Sequence, residues 1–477
     1  MRKKKIGIEG RKVDISKTNR QKPYEIPLNW FWTDLECLFE RIKEQVQPDG
    51  SEKYIGLEHM KKGGGILEVG SSENLKSKKI VFKKNDILYG KLRPYLNKHA
   101  HVNFDGIAST DILVYRIEDL ITSKFVNMYL DLPHVLKYAI ENSNGINLPR
   151  VSPNAIDKLP IPVPPIEEQK RIVEKLEALL SKIEEVEEIM EETKELFELR
   201  RASLFEKAFS GELTKKWRAN NSNETAKLKF NAIKEERYSI AESNKEMKEL
   251  DKMFEDFDID KCSDAKGWVY LKANMFCYNI TSGGTPSKEI SESGEIPFLK
   301  VYNIVNNTVD FEYKPQYIPK EIHESKLKKS RLKPDDVIMN IVGPPLKKIA
   351  IIPTSYPEMN MNQAIVRFRP IKYVLPKYLY YCLQYDETLK EVMENTKGVV
   401  GQVNISISQS RNLIFPIPSL EEQSEIVNML EKLIDKEESI LSLIPDSKAI
   451  ENLKQSILSR AYKGKLVTND PSELNSY

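Results

Sequence analysis

The sequence is poor in cysteine and in long apolar runs. Its 477 residues include only 4 cysteines, and no two of them form a C-x-x-C pair. This scarcity argues against a zinc site, a redox motif or a disulfide framework, and it fits a cytoplasmic protein in a reducing compartment. The apolar runs fall well short of the roughly 18 residues that cross a bilayer. The opening MRKKKIGIEG is basic without a following apolar region, so it does not resemble a signal peptide.

Catalytic motifs are missing as well. The glycine-rich stretches at 63–65 and 283–285 do not match the phosphate-binding P-loop. Neither R-P-Y at 93–95 nor G-P-P at 343–345 has the residue order of the Asn/Asp-Pro-Pro-aromatic motif of amino methyltransferases. There is no H-E-x-x-H, and the 5 scattered histidines suggest no catalytic triad. We therefore expect a chain with no catalytic residues, no metal and no bound cofactor.

Charge is nearly balanced over the whole chain but is distributed unevenly along it. The formal net charge is +2. Residues 1–20 carry eight Lys/Arg against two Asp/Glu, and residues 266–416 carry 20 against 14. Residues 166–199, in contrast, carry five Lys/Arg against 12 Glu. The basic stretches are able to neutralise a phosphate backbone, whereas the acidic stretch would repel it.

Two short motifs occur twice, which indicates an internal duplication. P-V-P-P-I-E-E-Q at 162–169 corresponds to P-I-P-S-L-E-E-Q at 416–423, and we call these the helix-start motifs. A-F-S-G-E-L at 208–213 corresponds to A-Y-K-G-K-L at 461–466. The sequences upstream of the helix-start motifs match only loosely. This contrast predicts two unlike globular domains, each followed by a similar long helix.

The helix-start motifs favour helices because proline suits the first turn and acidic residues favour the positive end of the helix dipole. Apolar residues then recur at spacings of four and three, which is typical of a coiled-coil seam. The predicted seam comprises Ile172, Leu176, Leu179, Ile183, Val186, Met190 and Phe197 in the first helix and Ile426, Leu430, Leu433 and Ile440 in the second. We expect the two helices to pair antiparallel. The alternative is that the apolar stripe packs on its own domain.

Three further features concern the helices and the segment between the halves. Gly211 is predicted to end the first helix. Pro445 is predicted to kink or break the second, since an internal proline removes a hydrogen bond and clashes with the preceding turn. Glu437 occupies a position of the second seam that should be apolar. The highly charged segment between the two halves is predicted to be a helical connector.

Both globular stretches are predicted to be mixed α/β, because short β-like runs are followed by helical segments at about 125–142 and 377–394. Their loops carry side chains suited to DNA: arginine pairs with guanine, Asn or Gln with adenine, and lysine mostly contacts phosphate. The residues predicted to bind DNA are Lys91, Arg93, Lys98, Asn144, Asn147 and Arg150 in the first half and Asn340, Lys347, Lys348, Asn362, Gln402 and Asn404 in the second. Their clustering on loops supports this prediction more than any one residue does.

With these features, the chain resembles the specificity subunits of type I restriction–modification systems. The first half carries I-P-L-N-W at 26–30, S-T-D at 109–111 and N-G-I-N-L-P-R-V-S at 144–152. The second half carries S-G-G-T-P at 282–286, I-P-F at 296–298 and N-Q-A at 362–364. Each set is followed by a helix-start motif, and together the matches cover almost the whole chain. Pro445 departs from the straight second helix that the resemblance implies.

The resemblance implies an α/β fold with two mixed α/β target-recognition domains. Two long antiparallel helices would join the domains as a coiled coil, with an internal pseudo-twofold repeat. The expected segments are a basic N-terminal segment (1–20), recognition domain 1 (21–165), the first spacer helix (166–214), the charged helical connector (215–265), recognition domain 2 (266–418), the second spacer helix (419–466) and a C-terminal tail (467–477).

The resemblance also implies a division of labour. Each recognition domain would read one half of a bipartite, asymmetric site in double-stranded DNA, and the helices would set the spacing and dock two modification subunits. Those methyltransferase subunits would bind S-adenosylmethionine and methylate a flipped adenine. Two restriction subunits would add cleavage driven by ATP and Mg. This chain would be the non-catalytic specificity subunit, without membrane contact.

Two other hypotheses compete with this interpretation. A coiled-coil scaffold that binds only proteins would show no sequence-specific DNA binding, even with its partners present. The recognition part of a single-chain restriction–methylation enzyme is the other, and the missing cofactor and nuclease motifs argue against it. The duplication favours the specificity subunit, since a scaffold has no reason to combine similar helices with two divergent domains that carry basic loops.

Overall fold

The computed structural model describes residues 22–221, 224–286, 288–343, 345–396 and 403–475. The chain forms two compact units, one of Met1–Glu191 with Ile444–Tyr477 and the other of Glu192–Leu443. The first unit therefore takes its last segment from the far end of the chain. The predicted basic segment at 1–20 lies outside the described residues.

The first unit is built from short strands and short helices before the first long helix. Its strands are β1 (Phe31–Asp34), β2 (Glu40–Ile42), β3 (Gln45–Val46), β4 (Lys53–Ile55), β5 (Gly70–Ser71), β6 (Lys79–Phe82), β7 (Ile87–Gly90), β8 (His99–His101), β9 (Gly106–Ala108), β10 (Ile112–Arg116), β11 (Ser143–Asn144), β12 (Arg150–Val151) and β13 (Pro160–Val163). Its short helices are α1 (Leu35–Leu38), α2 (Leu120–Tyr129), α3 (Pro133–Glu141) and α4 (Pro153–Asp157), with 3₁₀ turns at Leu57–His59 and Pro94–Leu96.

A four-stranded antiparallel sheet in the order β2-β10-β7-β8 separates two apolar cores in this unit. Side chains alternate between the faces of a strand. On β10, Leu113 and Tyr115 accordingly lie in the core that α2, α3 and the long helix cover, whereas Ile112 and Val114 face the other core. A second sheet, in the order β3-β6-β9-β4-β5, supplies the far side of that other core.

The long helix α5 (Ile166–Phe209) has 44 residues and contributes residues to both units. The second unit then follows the same plan with more elements. Its helices are α6 (Lys215–Asn221), α7 (Ala226–Ser239), α8 (Asn244–Glu255), α9 (Ala273–Phe276), α10 (Lys320–Glu324), α11 (Pro376–Gln384), α12 (Asp386–Thr396), α13 (Ile407–Asn412) and α14 (Leu420–Leu441). Its strands are β14 (Val269–Lys272), β15 (Cys277–Ser282), β16 (Ile296–Leu299), β17 (Ile304–Val305), β18 (Thr308–Val309), β19 (Tyr317–Ile318), β20 (Val337–Asn340), β21 (Val342–Gly343), β22 (Ile349–Ile351), β23 (Asn360–Met361), β24 (Ile365–Pro370), β25 (Val403–Asn404) and β26 (Ile414–Ile417).

The central sheet of the second unit has the order β15-β24-β20-β22, which repeats the four-stranded arrangement of the first unit. Two contacts repeat with it. Asp86 Oδ2 lies 2.6 Å from Arg116 Nη2, and Asp336 Oδ2 lies 2.6 Å from Arg369 Nη2. Asp86 and Asp336 directly precede β7 and β20, which we call the central strands of the two sheets. Arg116 and Arg369 lie on the neighbouring strands β10 and β24. The duplication predicted from the motifs is therefore confirmed in the topology and in these aspartate–arginine ion pairs.

The predicted antiparallel pairing of helices is confirmed within each unit. In the first unit, Lys175 Nζ donates to the Leu466 carbonyl at 2.9 Å, and Glu187 pairs with Lys454 at 2.8 Å. Lys454 lies on α15 (Ser447–Ala461), the last helix of the chain. In the second unit, α5 and α14 also run in opposite directions, since Arg200 pairs with Glu437 and Thr214, beyond the end of α5, pairs with Glu422.

The predicted ends of the helices are also confirmed. Gly211, just beyond α5, has φ +80°, the left-handed conformation in which glycine commonly ends a helix. The segment 419–466 holds two helices, because α14 ends at Leu441 and α15 begins at Ser447. Asp446, which follows Pro445, caps α15 by accepting a 2.6 Å hydrogen bond from the Ala449 amide.

Two predicted helices are wrong in extent. The segment predicted as one helix at 125–142 is split into α2 and α3, and the one at 377–394 into α11 and α12. Leu132 is extended because Pro133 follows it, and proline disfavours the helical conformation in the preceding residue. Tyr385, between α11 and α12, is likewise extended, with ψ 125°.

The predicted connector at 215–265 is helical, but it also belongs to the core of the second unit. Phe230 and Ile233 of α7 and Leu250 and Phe254 of α8 are buried among residues of that core. Their spacings of three and four place each pair on one helix face, and the charged residues occupy the remaining faces. The high charge of this segment hides an amphipathic helical hairpin.

Candidate nucleic-acid interface

In both units, the central strand continues into a loop that meets two other loops at the same edge of the sheet. In the first unit, the Lys91 amide donates to the Asp111 carbonyl at 2.9 Å, and Val151 donates to the Lys91 carbonyl at 3.0 Å. In the second, Ile341 donates to Ala364 at 2.8 Å, and Ile405 donates to Ile341 at 2.9 Å. We call these sites the first and second loop edges.

The first loop edge brings together the candidates that lie far apart in sequence. Arg93 has φ +53°, and its amide donates to the Pro149 carbonyl at 2.7 Å. Strands β11 and β12 pair Asn144 with Arg150. The side chains of Arg93, Asn144, Asn147 and Arg150 are all exposed. Arginine and asparagine suited to base edges are therefore presented on one surface.

Charge at the first loop edge is mostly positive. Arg150 Nη2 lies 2.8 Å from Asp111 Oδ1, which orients a guanidinium that stays 54% exposed. Burial lowers the pKa of Lys91, although the nearby Asp111 opposes the shift. Lys98 Nζ donates to the Leu57 carbonyl at 2.6 Å, so its ammonium also positions the 57–66 loop. His99, beside this cluster, is buried between Asn127 and Asp131 and faces away from solvent.

The 57–66 loop adds two lysines that the sequence did not single out. Lys61 and Lys62 are exposed just before the three glycines. The Gly63 amide donates to Leu96 at 3.1 Å, and the Gly65 amide donates to His99 at 2.7 Å. All three glycines have positive φ, which explains their concentration at this turn. The sequence feature that could have indicated this basic turn is the run Lys-Lys-Gly-Gly-Gly at 61–65.

At the second loop edge, Asn340 is corrected from a DNA-binding candidate to a supporting residue. Its side chain is fully buried. Its Nδ2 donates to the Pro345 carbonyl at 2.7 Å, and its Oδ1 accepts from the Lys348 amide at 2.7 Å. A buried amide with these partners closes the 341–348 loop and cannot reach a base.

The remaining candidates of the second unit lie on or beside that loop. Lys347 has φ +65° and forms an ion pair with Asp386, and Lys348 is half-buried. Asn404 is exposed and pairs with Val342 across β21 and β25. Asn362 is half-buried and follows β23. Gln402 lies outside the described residues.

No metal or membrane feature accompanies these edges in the described residues. That part of the chain contains no group of three or more His, Cys, Asp or Glu side chains placed to hold a metal ion. Over the same residues, no helix has both the length and the apolar character that a membrane span requires.

Comparison with protein families gives a match to the type I restriction modification DNA specificity domain. The match occurs twice, over residues 41–195 and 267–445, and so covers most of the chain and both units. The chain belongs to this family. Its role is therefore DNA sequence specificity in a type I restriction–modification system.

Curated relatives agree with this family. The chain is 24% identical to the type I restriction enzyme EcoBI specificity subunit of Escherichia coli over 351 residues, 73% of this chain and 67% of the relative. It is 24% identical to the EcoKI specificity subunit of E. coli K12 over 375 residues, 77% of this chain and 71% of the relative. The similarity is low but extends through both units.

Solved structures show the same fold. One, from work on complex assembly and conformational transition of the type I R-M system, aligns with a TM-score of 0.66 at 20% identity over 93% of this chain and 100% of that chain. The HsdS subunit of Thermoanaerobacter tengcongensis aligns with a TM-score of 0.53 at 20% identity over 93% of this chain and 99% of that chain.

In each of the two helices, the predicted seam is buried at its start and more exposed further along. Ile172, Leu176 and Ile183 are buried in the first unit, and Ile426 and Leu430 are buried in the second. The seam residues Leu179, Met190, Phe197 and Leu433 are half-buried. Val186 is 45% exposed and Ile440 is 49% exposed. The starts of the two seams are buried because they face their own domain cores.

Proposed function

We propose that the two units read the two halves of one bipartite, asymmetric site in double-stranded DNA, and that this chain contributes no catalytic group. One observation carries the proposal: the loop edges share their backbone hydrogen bonds but not their side chains. The first edge presents the exposed Arg93, Asn147 and Arg150, whereas the second presents the exposed Asn404 beside the half-buried Lys347. The same scaffold with different donors and acceptors would select different base sequences.

Reading of bases would be direct at these edges. Arg150, oriented by Asp111, has the planar fork of donors that pairs with O6 and N7 of guanine. Asn147 and Asn404 have the paired donor and acceptor that match adenine. Lys91, Lys98 and Lys348, each tied to backbone or partly buried, suit contacts with phosphate that fix the register.

The long helices would set the distance between the half-sites and dock the modification subunits. Helix α5 carries an excess of glutamates that would repel DNA. It also exposes apolar side chains, among them Leu196 at 65% and Leu199 at 69%. Exposed apolar side chains on a helix that DNA would avoid favour a protein partner.

The chemistry would belong to the partners. Two modification subunits would bring S-adenosylmethionine and methylate an adenine in each half-site, and two restriction subunits would bring the ATP- and Mg-dependent cleavage. The competing hypothesis is a coiled-coil scaffold that binds only proteins. The exposed cations at the first loop edge, among them Arg93 and Arg150, favour the DNA-reading function, because a protein scaffold has no use for them.

Methylation mapping tests the proposal. Genomic DNA from cells that carry the chain with its modification subunit is compared with DNA from cells that lack only the chain. We expect methylated adenines in one bipartite motif that disappear without the chain. Identical methylation in the two strains, with the modification subunit expressed and active, would reject the proposal in favour of the scaffold.

A further inference from the structure

The tip of the β11–β12 hairpin carries an apolar side chain in open solvent. Ile146 is 100% exposed, and Leu148 is 54% exposed. The turn has a defined conformation, since Gly145 has φ +106° and the flanking strands pair Ser143 with Val151. Single exposed apolar residues are common on protein surfaces. The surroundings of Ile146, however, indicate that this exposed side chain contacts a partner.

The hairpin is fixed to the end of the central strand. Leu92 and Arg150 form a β-bridge, and the Pro149 carbonyl accepts a 2.7 Å hydrogen bond from the Arg93 amide. The carbonyl of Lys91 accepts another from Val151, at 3.0 Å. These bonds hold the tip in one direction relative to the first loop edge. An apolar group held this way has already lost the backbone freedom that insertion into a partner would cost.

The neighbours of Ile146 identify the partner as DNA. Arg150 is exposed on β12 of the hairpin, and Arg93 is exposed on the loop after β7 to which the hairpin is bonded. Asn144 and Asn147 lie within two residues of Ile146 in sequence. Cations around an apolar tip match a surface with phosphates outside and stacked bases inside. A protein partner that covered Ile146 with apolar groups would have to bury these two guanidinium groups as well, at a large desolvation cost.

We propose that Ile146 inserts between two stacked bases of the first half-site and unstacks them. Apolar wedges of this kind are used by proteins that kink DNA, and unstacking costs a few kcal/mol per base step. The base contacts of the flanking arginines and the phosphate contacts of Lys91 and Lys98 would offset that cost. An unstacked step would also make it easier to take out a neighbouring base for modification. This inference rests on the proposed function, because it assumes that the first unit reads DNA.

The test uses the complex of the full chain with its modification subunits, bound to a duplex that carries the mapped target. Permanganate oxidation reports thymines that are no longer stacked. The variants are Ile146→Ser, which removes the wedge, and Ile146→Leu, which keeps an apolar side chain. Leu28→Ser is the matched control, since Leu28 is fully exposed, at 105%, but lies outside the loop edge. The second half-site of the same duplex serves as an internal reference.

We expect Ile146→Ser to lower oxidation in the first half-site at least threefold and to weaken target binding about tenfold, as for loss of one buried aliphatic side chain. Oxidation in the second half-site should not change, and Ile146→Leu and Leu28→Ser should behave like the parent chain.

Two results would overturn the wedge while leaving the proposed function intact. One is that, at full occupancy, the Ile146→Ser complex leaves permanganate oxidation of both half-sites as it is with the parent chain. The other is loss of modification subunits from the Ile146→Ser complex on gel filtration, with oxidation per bound complex unaltered, which would make Ile146 a protein contact. Failure of the parent complex to prefer the mapped target over a scrambled duplex would instead reject the proposed function.

Discussion

The indole Nε1 of Trp30 donates a 2.8 Å hydrogen bond to Oε2 of Glu168, and both side chains are buried. Trp268 makes the same bond to Glu422 at 2.9 Å in the second unit. In each unit, the tryptophan that opens the globular domain is thus joined to the glutamate that starts the long helix. The helix-start motif therefore also fixes the domain onto its helix.

The two glutamates differ in their other partners. Glu422 accepts from Arg218 Nε at 2.8 Å and from the Thr214 hydroxyl at 2.7 Å. Glu168 accepts instead from Asn469 at 2.9 Å. Burial raises the pKa of Glu168, and the hydrogen bonds from Trp30 and Asn469 only partly oppose this. Glu422 is thus in direct contact with a guanidinium, whereas Arg171, whose charge also lowers the pKa of Glu168, is paired with Glu473.

Replacing these carboxylates by amides should therefore have unequal effects. Glu422→Gln would leave the half-buried Arg218 without its counter-ion and should destabilise the second unit by about 3 kcal/mol. Glu168→Gln should cost the first unit about 1 kcal/mol or less, because it also removes an unfavourable buried charge. Hydrogen exchange of amides in each unit measures the two losses separately. Equal losses would show that Arg218 does not determine the difference.

The buried Glu437 of α14 should depend on the two arginines that face it. Its carboxylate lies 3.3 Å from Arg200 Nε and 3.7 Å from Arg201 Nε and is almost fully buried. The double change Arg200→Ala with Arg201→Ala leaves an uncompensated buried charge and should cost the second unit about 3 kcal/mol. Adding Glu437→Leu should restore most of this stability, since leucine suits the seam position. Urea unfolding, monitored by hydrogen exchange of amides in the second unit, measures the stability of the double and triple variants. A triple variant as unstable as the double one would contradict the explanation.

The first unit should lose stability in mild acid because of His134. Burial and the nearby Lys463 lower the pKa of His134 from 6.5 to about 4. The folded unit thus holds the neutral ring, whereas the unfolded chain takes up a proton below pH 6.5. The stabilising contribution is complete above pH 6.5 and is lost as the pH falls toward 4. With allowance for partial exposure, we expect a loss of about 2 kcal/mol.

His134→Gln is the control for that effect, because glutamine still offers a donor to the Tyr129 hydroxyl, which His134 Nε2 contacts at 2.9 Å. Exchange rates of the α3 amides at pH 7 and pH 5 should diverge more in the parent chain than in the variant. A parallel pH response of the two proteins would remove His134 as the cause.

The two loop edges should affect different half-sites. Arg93→Ala should weaken discrimination within the first half of the mapped motif only, and Lys347→Ala within the second half only, each by about 1–2 kcal/mol. Binding of the modification complex to duplexes scrambled in one half or the other measures this. Lys137→Ala and Lys245→Ala are matched controls, with exposed side chains on helices of the first and second unit. Equal losses on both half-scrambled duplexes would refute separate readers.

The sequence predicted the features that depend on local chemistry. Gly211 and Pro445 end or break helices through their own backbone preferences, and the repeated motifs reveal the duplication directly. It failed where partners distant in the chain decide the outcome. Asn340 looks like a base-reading amide until the fold places Pro345 and Lys348 around it. Glu437 breaks the apolar pattern of the seam, and only the fold shows that Arg200 and Arg201 pair with it.

The sequence identified residues able to bind DNA but could not show which of them lie together on one surface. Arg93 and Arg150 share a loop edge only because strands from distant segments meet there, which composition cannot show. The four buried apolar residues of α7 and α8 were likewise obscured by the many charges around them. In each case, the missing information was the tertiary neighbour rather than the local propensity.

The assignment of residues 444–477 to the first unit has a consequence for synthesis on the ribosome. Leu458 and Tyr462 fill the core around Phe125 and Tyr129, and Tyr462 donates to the Phe125 carbonyl at 2.6 Å. Those last side chains leave the exit tunnel after the whole second unit. The domain translated first is thus the one completed last, and a nascent chain stalled before residue 444 would expose an unfilled apolar cleft to chaperones.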